Sequence, residues 1–116
     1  MIAKKYRLTE KDTKKVLHKG KPFFSYGIVL NILKNKLSYN RFSIVIGGKS
    51  VNNNVTRNFF RRRFFNNCFS EIFDNDNAGY DLVFLVKKQT KLDKKNNLSI
   101  ISFDNDIKFL LDKYKK

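Results

Sequence analysis

The sequence predicts one α/β domain of the α+β kind, with a small sheet and three helices. A length of 116 residues suits a single domain, and 41% hydrophobic residues with 12 Phe are enough to build a core. Short β-rich runs alternate with helical segments in the order α-β-β-α-β-α. No internal repeat or linker divides the chain, so we expect one domain over residues 1–116.

The first predicted element is a helix over about 9–19. Thr9 is followed three residues later by Asp12, which is the pattern of a capped helix start. Gly20 can adopt the left-handed conformation that ends a helix. Pro22 then prevents the helix from continuing.

Three segments predict strands. Residues 23–34 are rich in aromatic and β-branched side chains and predict the first strand, and a polar turn separates it from the second at 41–46. Residues 80–86 are almost continuously apolar, which is typical of a central strand. The polar, lysine-rich stretch over 87–97 predicts a mobile loop.

Two further helices complete the predicted fold. The second is expected over 56–73, with Thr56 or Asn54 as its N-cap. The third has the clearest helical period in the chain, with apolar residues at i, i+4, i+7, i+8 and i+11 counted from Phe103.

Basic charge is concentrated in the first part of the chain. The net charge is +15, and residues 1–70 contribute +14 of it with 16 basic and 2 acidic residues. Residues 71–116 contribute only +1, whereas a general lysine bias would spread the charge evenly. Because such an excess repels itself in a compact fold unless a polyanion neutralises it, we expect a nucleic-acid partner.

The composition also excludes several classes of protein. One Cys and one His cannot form a disulfide framework, a Cys-based zinc site or the common histidine proton-transfer pairs. Because carboxylates are sparse in the basic half, we expect no catalytic and no metal-binding residues in this chain. No apolar run approaches the ~20 residues of a membrane span, and the start lacks the apolar core of a signal peptide. We therefore expect a cytoplasmic protein without a membrane partner.

The start of the second predicted helix is the most informative segment. It carries four arginines within seven residues, Arg57, Arg61, Arg62 and Arg63, whereas the rest of the chain has only two. Since arginines cannot be buried unpaired beside phenylalanines, we expect the N-terminal half of this helix to project past the core and to present them with Asn58. Guanidinium groups and helix N-termini both bind phosphate. The alternative is a solvated face paired with acids elsewhere, although residues 1–70 offer only two acids.

The stretch K-S-V-N-N-N-V-T-R-N-F-F-R-R-R resembles the signature of the protein component of bacterial ribonuclease P. R-L-T-E-K-D, V-L-H-K-G-K, R-F-S-I-V-I-G-G-K and Y-D-L-V-F-L-V resemble further parts of that family, so the resemblance covers most of the chain. The matching positions imply RNA contacts by Lys49, Arg57, Asn58, Arg61 and Arg62, with Arg63 as an extra basic residue.

Several positions depart from the family pattern. Phe59 and Phe65 stand at basic positions, and Gly48 stands at the first of two paired lysines. Thr13 and Leu17 replace aromatic residues that in the family face the leader cleft. The spacing from strand to motif is nevertheless intact, which argues for divergence within the family.

The resemblance implies a fold and a function. The fold is a small sandwich with a mixed sheet, similar to ribosomal protein S5 domain 2, with a left-handed crossover. The function is that of an RNA-binding subunit of an endoribonuclease, which binds the catalytic RNA subunit and the 5′ leader of precursor tRNA and assists removal of that leader. The RNA subunit and its Mg²⁺ ions would perform the hydrolysis, with one protein bound to each RNA.

Leader contacts are expected from aromatic side chains on the sheet and from the first helix. The candidates are Phe23, Phe24, Tyr26, Phe42, Thr13 and Leu17. A structural ribosomal protein or RNA chaperone is the alternative function. It would share the charge and the arginine cluster, but it has no reason to match the strand, loop and helix at this spacing.

Overall fold

The chain forms a mixed sheet with one helix on one face and two on the other. The computed structural model describes residues 4–48, 50–51, 53–69 and 79–114. After a 3₁₀ turn at Lys4–Tyr6, the elements are α1 (Glu10–Lys19), β1 (Lys21–Phe24), β2 (Ile28–Lys34), β3 (Arg41–Val45), α2 (Asn54–Cys68), β4 (Tyr80–Val86) and α3 (Asn97–Tyr114). Within these ranges, a mixed sheet and three α-helices confirm the predicted α+β class.

β4 lies inside the sheet, whose strand order is β1-β2-β4-β3. It pairs antiparallel with β2 and parallel with β3, so Phe84 lies between Leu30 and Ile44. This position confirms the central strand that the apolar run predicts. Because parallel neighbours cannot be joined by a tight turn, α2 forms the crossover between β3 and β4. The left hand of that crossover stays a prediction from the resemblance.

Side-chain alternation gives the two faces of the sheet different partners. Phe84 and Ile44 face α2 and α3 and belong to the main apolar cluster. Val83 and Ser43 face the other way, where the Thr13 hydroxyl on α1 donates a hydrogen bond to the Ser43 hydroxyl at 3.1 Å. The sheet therefore separates a large core under α2 and α3 from a smaller contact under α1.

Aromatic rings join α2 to both of its neighbours in the core. The ring centroids of Phe60 on α2 and Phe103 on α3 lie 5.0 Å apart, as do those of Phe64 on α2 and Phe84 on β4. Both pairs meet edge to face, an arrangement that contributes about 0.5–1.5 kcal/mol beyond the burial of their area. The helical period predicted for α3 is also confirmed, since its periodic residues Phe103, Ile107, Leu110 and Leu111 are buried.

The single strand predicted over residues 23–34 is wrong, because two strands and a tight turn occupy this segment. The N–H and the hydroxyl of Ser25 both donate to the carbonyl of Ile28, at 2.9 and 2.8 Å, and so close the turn between β1 and β2. Gly27 leaves room for α3, since a Cβ there would lie 2.9 Å from Oδ2 of Asp106. The Ser-Tyr-Gly turn interrupts a run of strand-forming residues without a strong turn dipeptide, so the run looked continuous.

Contacts from the far end of the chain hold this hairpin turn. Nζ of Lys87 donates to the carbonyl of Ser25 at 2.8 Å, and the hydroxyl of Thr90 donates to the carbonyl of Gly27 at 3.0 Å. The N–H of Gly27 donates to Oδ2 of Asp106 at 3.2 Å. The turn is therefore fixed by the segment between β4 and α3 and by α3 itself.

An arginine joins α1 to the sheet at the opposite end of β4. Arg41 donates from Nε and Nη2 to the two carboxylate oxygens of Asp81, at 2.9 and 2.7 Å, and from Nη1 to Asp12 on α1 at 3.2 Å. Hydrogen bonding to Asp81, together with the charge of both carboxylates, raises the pKa of Arg41. Since Asp81 is buried, the two hydrogen bonds from Arg41 offset the free-energy cost of removing its carboxylate from water.

Gly20 ends α1 through close backbone contacts, and the predicted left-handed conformation is wrong. Its backbone is extended, with φ −77° and ψ 162°, and its N–H donates to the carbonyl of Val16 at 2.7 Å. A Cβ at this position would lie 2.6 Å from the Val16 oxygen and 3.0 Å from the carbonyl oxygen of Ile32. The turn from α1 into β1 therefore has no room for a side chain.

We expect Gly20→Ala to lower the free energy of unfolding by about 1–3 kcal/mol, the usual cost of forcing extra atoms into a packed region. Gly47→Ala is the matched control, because nothing lies within 4 Å of a Cβ there. It should change the free energy of unfolding by less than about 0.5 kcal/mol. Urea unfolding followed by circular dichroism measures both, and equal effects would contradict the steric explanation.

Candidate nucleic-acid interface

α2 follows the loop after β3, and Asn53 is its N-cap. The backbone of Asn53 is extended, and its Oδ1 accepts a hydrogen bond from the N–H of Thr56 at 2.8 Å. Asparagine is among the best residues for this role. The predicted caps Thr56 and Asn54 are wrong, since both lie within the helix. The predicted end at Phe73 lies outside the described residues.

α2 packs against the core along its whole length. Its buried residues extend from the first turn to the last and are Thr56, Phe60, Phe64, Phe65 and Cys68. The prediction that the N-terminal half projects past the core is therefore wrong, because Thr56 and Phe60 anchor that half. At about 100° per residue the buried positions span roughly half of the helix circumference. Arg57 and Arg61 fall within this arc and Arg63 at its edge, whereas Arg62 lies about 60° outside it and is exposed.

Arg57 braces the loop before α2. Its Nη2 donates to the carbonyl of Val51 at 3.0 Å, and its Nη1 donates to Oδ1 of Asn54 at 2.7 Å. Its Nε is buried without an acceptor among the described residues. The residue is half-buried, so Arg57 orders the start of α2 and is only partly accessible.

Arg61 and Arg62 are the more available cations of the helix. Nη1 of Arg61 donates to Oδ1 of the exposed Asn58 at 3.0 Å, one turn earlier. Arg62 is exposed, and neither arginine forms an ion pair with a carboxylate in the described part of the chain. Guanidinium groups without a carboxylate partner keep their charge and donors for an external anion.

Arg63 is occupied by an ion pair with α3. Its Nη2 lies 2.6 Å from Oδ2 of Asp104, and its Nε donates to both carboxylate oxygens at 2.9 Å. Asn67 donates to the same carboxylate at 2.9 Å. Hydrogen bonding to Asp104 and the charge of that carboxylate raise the pKa of Arg63. Arg63, which we expected to bind RNA, is therefore engaged in an ion pair within the fold. Its partner Asp104 comes from the part of the chain that is nearly neutral.

The remaining basic position of the motif, Lys49, lies outside the described residues. Its neighbour Gly48 is exposed, with nothing within 4 Å of where a Cβ would stand. Lys94, from the segment before α3, lines a groove on α2 together with Arg62 and Arg63. Sequence reasoning assigned no function to Lys94, although the lysine run around it was an available signal.

A second feature is a cleft between α1 and β3. Thr13 and Leu17 line it from α1, Ser43 and Val45 from β3, and Arg61 from α2. The hydroxyl of the buried Thr13 lies within hydrogen-bond distance of the Ser43 hydroxyl and of the Thr9 carbonyl, while Leu17 is half-buried. The structure therefore brings the two predicted α1 residues and an arginine of the motif to one cleft.

Among the predicted aromatic contacts, the strand register favours Phe24. It pairs with Val29, lies on the α1 face of the sheet and is 58% exposed. Phe23 points to the opposite face and packs against the main core. Tyr26 is 94% exposed, at the hairpin turn. Phe42 is fully buried, so the expectation that its ring is available to a base is wrong.

Potential metal ligands do not cluster within the described residues. No three His, Cys, Asp or Glu side chains among them lie close enough to hold a metal ion. His18 is exposed near the end of α1, and Cys68 is buried in the core. In the same ranges no helix has the length and apolar character needed to cross a membrane.

Comparison with known proteins identifies relatives of the chain. The ribonuclease P family model matches residues 2–114. The ribonuclease P protein component of Clostridioides difficile is 35% identical over 82 residues, which cover 71% of this chain and 71% of the relative. The component from Clostridium botulinum is 30% identical over 80 residues, which cover 69% of this chain and 71% of the relative.

Solved structures share the fold. The RNase P protein of Staphylococcus aureus matches with a TM-score of 0.76 at 20% identity, over 95% of this chain and 95% of that chain. The RNase P protein of Thermotoga maritima matches with a TM-score of 0.62 at 24% identity, over 94% of each chain. At these identities the likeness concerns the fold.

The different surroundings of two adjacent arginines lead to a stability prediction. Arg63→Ala removes the partner of a largely buried carboxylate, and we expect it to lower the free energy of unfolding by about 1 kcal/mol. Arg62→Ala removes an exposed side chain and should change that free energy by less than about 0.5 kcal/mol. Chemical denaturation of both variants is the measurement, and equal destabilisation of both would show that the contact with Asp104 does not stabilise the fold.

Proposed function

The chain belongs to the ribonuclease P protein family, and from that premise we propose that it helps the RNA subunit remove the 5′ leader from precursor tRNA. As a ribonuclease P protein component it is part of a ribonucleoprotein of tRNA processing and partners with the RNA subunit. Contact with precursor tRNA, one protein per RNA and a cytoplasmic location belong to the proposal. The observation that carries it is that Arg61, which forms no ion pair with a carboxylate among the described residues, lines the cleft between α1 and β3.

The N-terminal half of α2 is the proposed surface for the RNA subunit. Arg61 and Arg62 offer guanidinium groups that no described carboxylate neutralises, and Asn58 adds an exposed amide. The half-buried Arg57 stabilises the helix start, and Lys49 extends the surface by family resemblance. Planar guanidinium groups match phosphate oxygens, so this surface binds the RNA backbone.

The cleft between α1 and β3 is the proposed binding site for the leader. Leu17 and the buried Thr13 line it from α1, and Phe24 lies on the same face of the sheet, on the opposite edge strand β1. A single base stacked on Phe24 would contribute about 1–3 kcal/mol, without selecting for sequence. Arg61, which lines the cleft, would contact the leader phosphates where they pass from the cleft to α2.

The proposed division of labour leaves hydrolysis to the RNA subunit. The described residues do not supply a carboxylate cluster that fits a resident Mg²⁺, so we assign the Mg²⁺ ions to the RNA subunit and the substrate. Mg²⁺ stabilises the charge that develops on the phosphate during cleavage. This chain would screen repulsion between the phosphates of two RNA molecules and raise the affinity for the substrate. A structural ribosomal protein or RNA chaperone is not favoured, because the family match extends over residues 2–114.

We expect the purified chain to restore 5′-leader removal when it is added to its cognate RNA subunit at low Mg²⁺ concentration. The reason is that protein cations replace part of the screening that Mg²⁺ otherwise provides. Cleavage of labelled precursor tRNA, resolved on a denaturing gel, is the measurement. RNA subunit alone at the same and at high Mg²⁺ are the controls, and no gain on adding the chain would refute the proposal.

The salt dependence of binding tests the arginine surface. Arg61→Ala and Arg62→Ala should each weaken binding to the RNA subunit and reduce the slope of log K against log salt by about 0.9 for each phosphate that the variant no longer neutralises. Lys108→Ala on α3 is the matched control, because Lys108 is exposed like Arg62 and carries the same charge as both arginines. If the slopes of both arginine variants stay at the wild-type value, Arg61 and Arg62 do not contact RNA phosphates and are exposed to solvent alone.

A further inference from the structure

The parallel pairing of β3 and β4 brings two loops to the same edge of the sheet. Val45 pairs with Leu85 at the ends of these strands, so the loop into α2 and the segment after β4 both leave from that edge. We call residues 87–96 the lysine loop. It carries Lys88, Lys91, Lys94 and Lys95 beyond the strand, while Lys87 is engaged with the β1–β2 turn.

The lysine loop is attached to the start of α2 at a defined point. Leu92 is buried at 8% exposure, and its N–H donates to the carbonyl of Ser50 at 3.2 Å. The hydroxyl of Ser50 donates in return to the carbonyl of Lys87 at 3.0 Å. These contacts fix the lysines on either side of Leu92 relative to α2, in a segment whose sequence alone predicts a mobile loop.

On one side of Leu92, Lys94 completes a basic groove on α2. The groove is lined by Lys94 with Val55, Asn58, Phe59, Arg62, Arg63 and Asn66. Arg63 is paired with Asp104, whereas Lys94 and Arg62 have no ion pair with a described carboxylate. Two cations, two amides and an aromatic wall suit the phosphates and sugars of an RNA backbone.

On the other side of Leu92, Lys88 and Lys91 line a second polar groove at the start of α2, next to Asn53. Both lysines are exposed. One acid, Asp93, shares this groove, and its Oδ1 accepts a hydrogen bond from the N–H of Lys95 at 2.9 Å. The net charge of the lysines and the acid in this groove is therefore positive.

We propose that the lysine loop is a second RNA-binding element, which contacts the backbone of the RNA subunit through Lys88, Lys91 and Lys94. This inference rests on the proposed function and extends its surface from α2 across the neighbouring loop. The RNA subunit is the partner of the loop because both grooves lie along α2 and the loop before it, whereas the cleft proposed for the leader lies between α1 and β3 and includes no residue of the lysine loop. Lysines act as point charges, so the element adds affinity without reading sequence.

The test compares two variants of equal net charge. The first is Lys88→Gln, Lys91→Gln and Lys94→Gln in one chain. The control is Lys34→Gln, Lys36→Gln and Lys108→Gln, all at exposed positions away from both grooves. Binding of each full-length chain to the cognate RNA subunit is measured over a range of salt concentrations, and thermal unfolding verifies that both variants are folded.

We expect the lysine-loop variant to reduce the salt slope by about 2–3, since each phosphate left without its lysine lowers the slope by about 0.9. The control should change the slope by less than about 1. Equal slopes in the two variants would overturn the inference while leaving the proposed function intact. Absence of RNA-subunit binding by the wild-type chain would instead refute the proposed function.

A second measurement distinguishes the RNA subunit from the leader. The lysine-loop variant, assembled with the RNA subunit, should keep the wild-type ratio of affinities for precursor tRNA with and without its leader. A ratio reduced several-fold, with unchanged binding to the RNA subunit, would assign the loop to the leader and overturn the inference.

Discussion

The parallel pairing of β3 with β4 is the constraint on which the rest of this structure depends. The chain must leave the sheet after β3, cross its face as α2 and return to the far end before β4 begins. That crossing places Phe60 and Phe64 between the sheet and α3, and it brings the loops after both strands together. The same helix therefore supplies a large part of the core and, along its edges, the basic surface.

The fold brings charged residues from the two parts of the sequence into contact. The first 70 residues hold nearly all of the positive excess, yet Asp104 from the nearly neutral remainder reaches back to neutralise Arg63. Lys94, from the same remainder, joins Arg62 in a groove on α2. The position of the basic surface thus depends on which cations α3 pairs with its own acids. Counting charges along the sequence therefore locates this surface only in part.

Sequence reasoning succeeded where the pattern is local and failed where a distant contact decides. The periodicity of α3 and the apolar run of β4 are properties of the segments themselves, and both were predicted correctly. The β1–β2 turn depends on Asp106, which is 79 residues from Gly27 in sequence, and no local turn signal marked it. The assignment of the RNA contacts to the arginines of α2 stays a prediction, although the helix itself forms where the sequence predicts one. The engagement of Arg63 and the burial of Phe42 required the helix packing and the strand register.

The hairpin turn between β1 and β2 also makes the order of events during biosynthesis matter. Its two strands leave the ribosome before the groups that hold the turn, which belong to Lys87, Thr90 and Asp106 and follow at separations of 62 to 79 residues. Contacts between residues so far apart in sequence form slowly, because the intervening chain must first be ordered. The edge strand β1 is therefore secured only after Asp106 has been synthesised. Until then, the unpaired backbone groups of this edge strand are open to pairing with other strands.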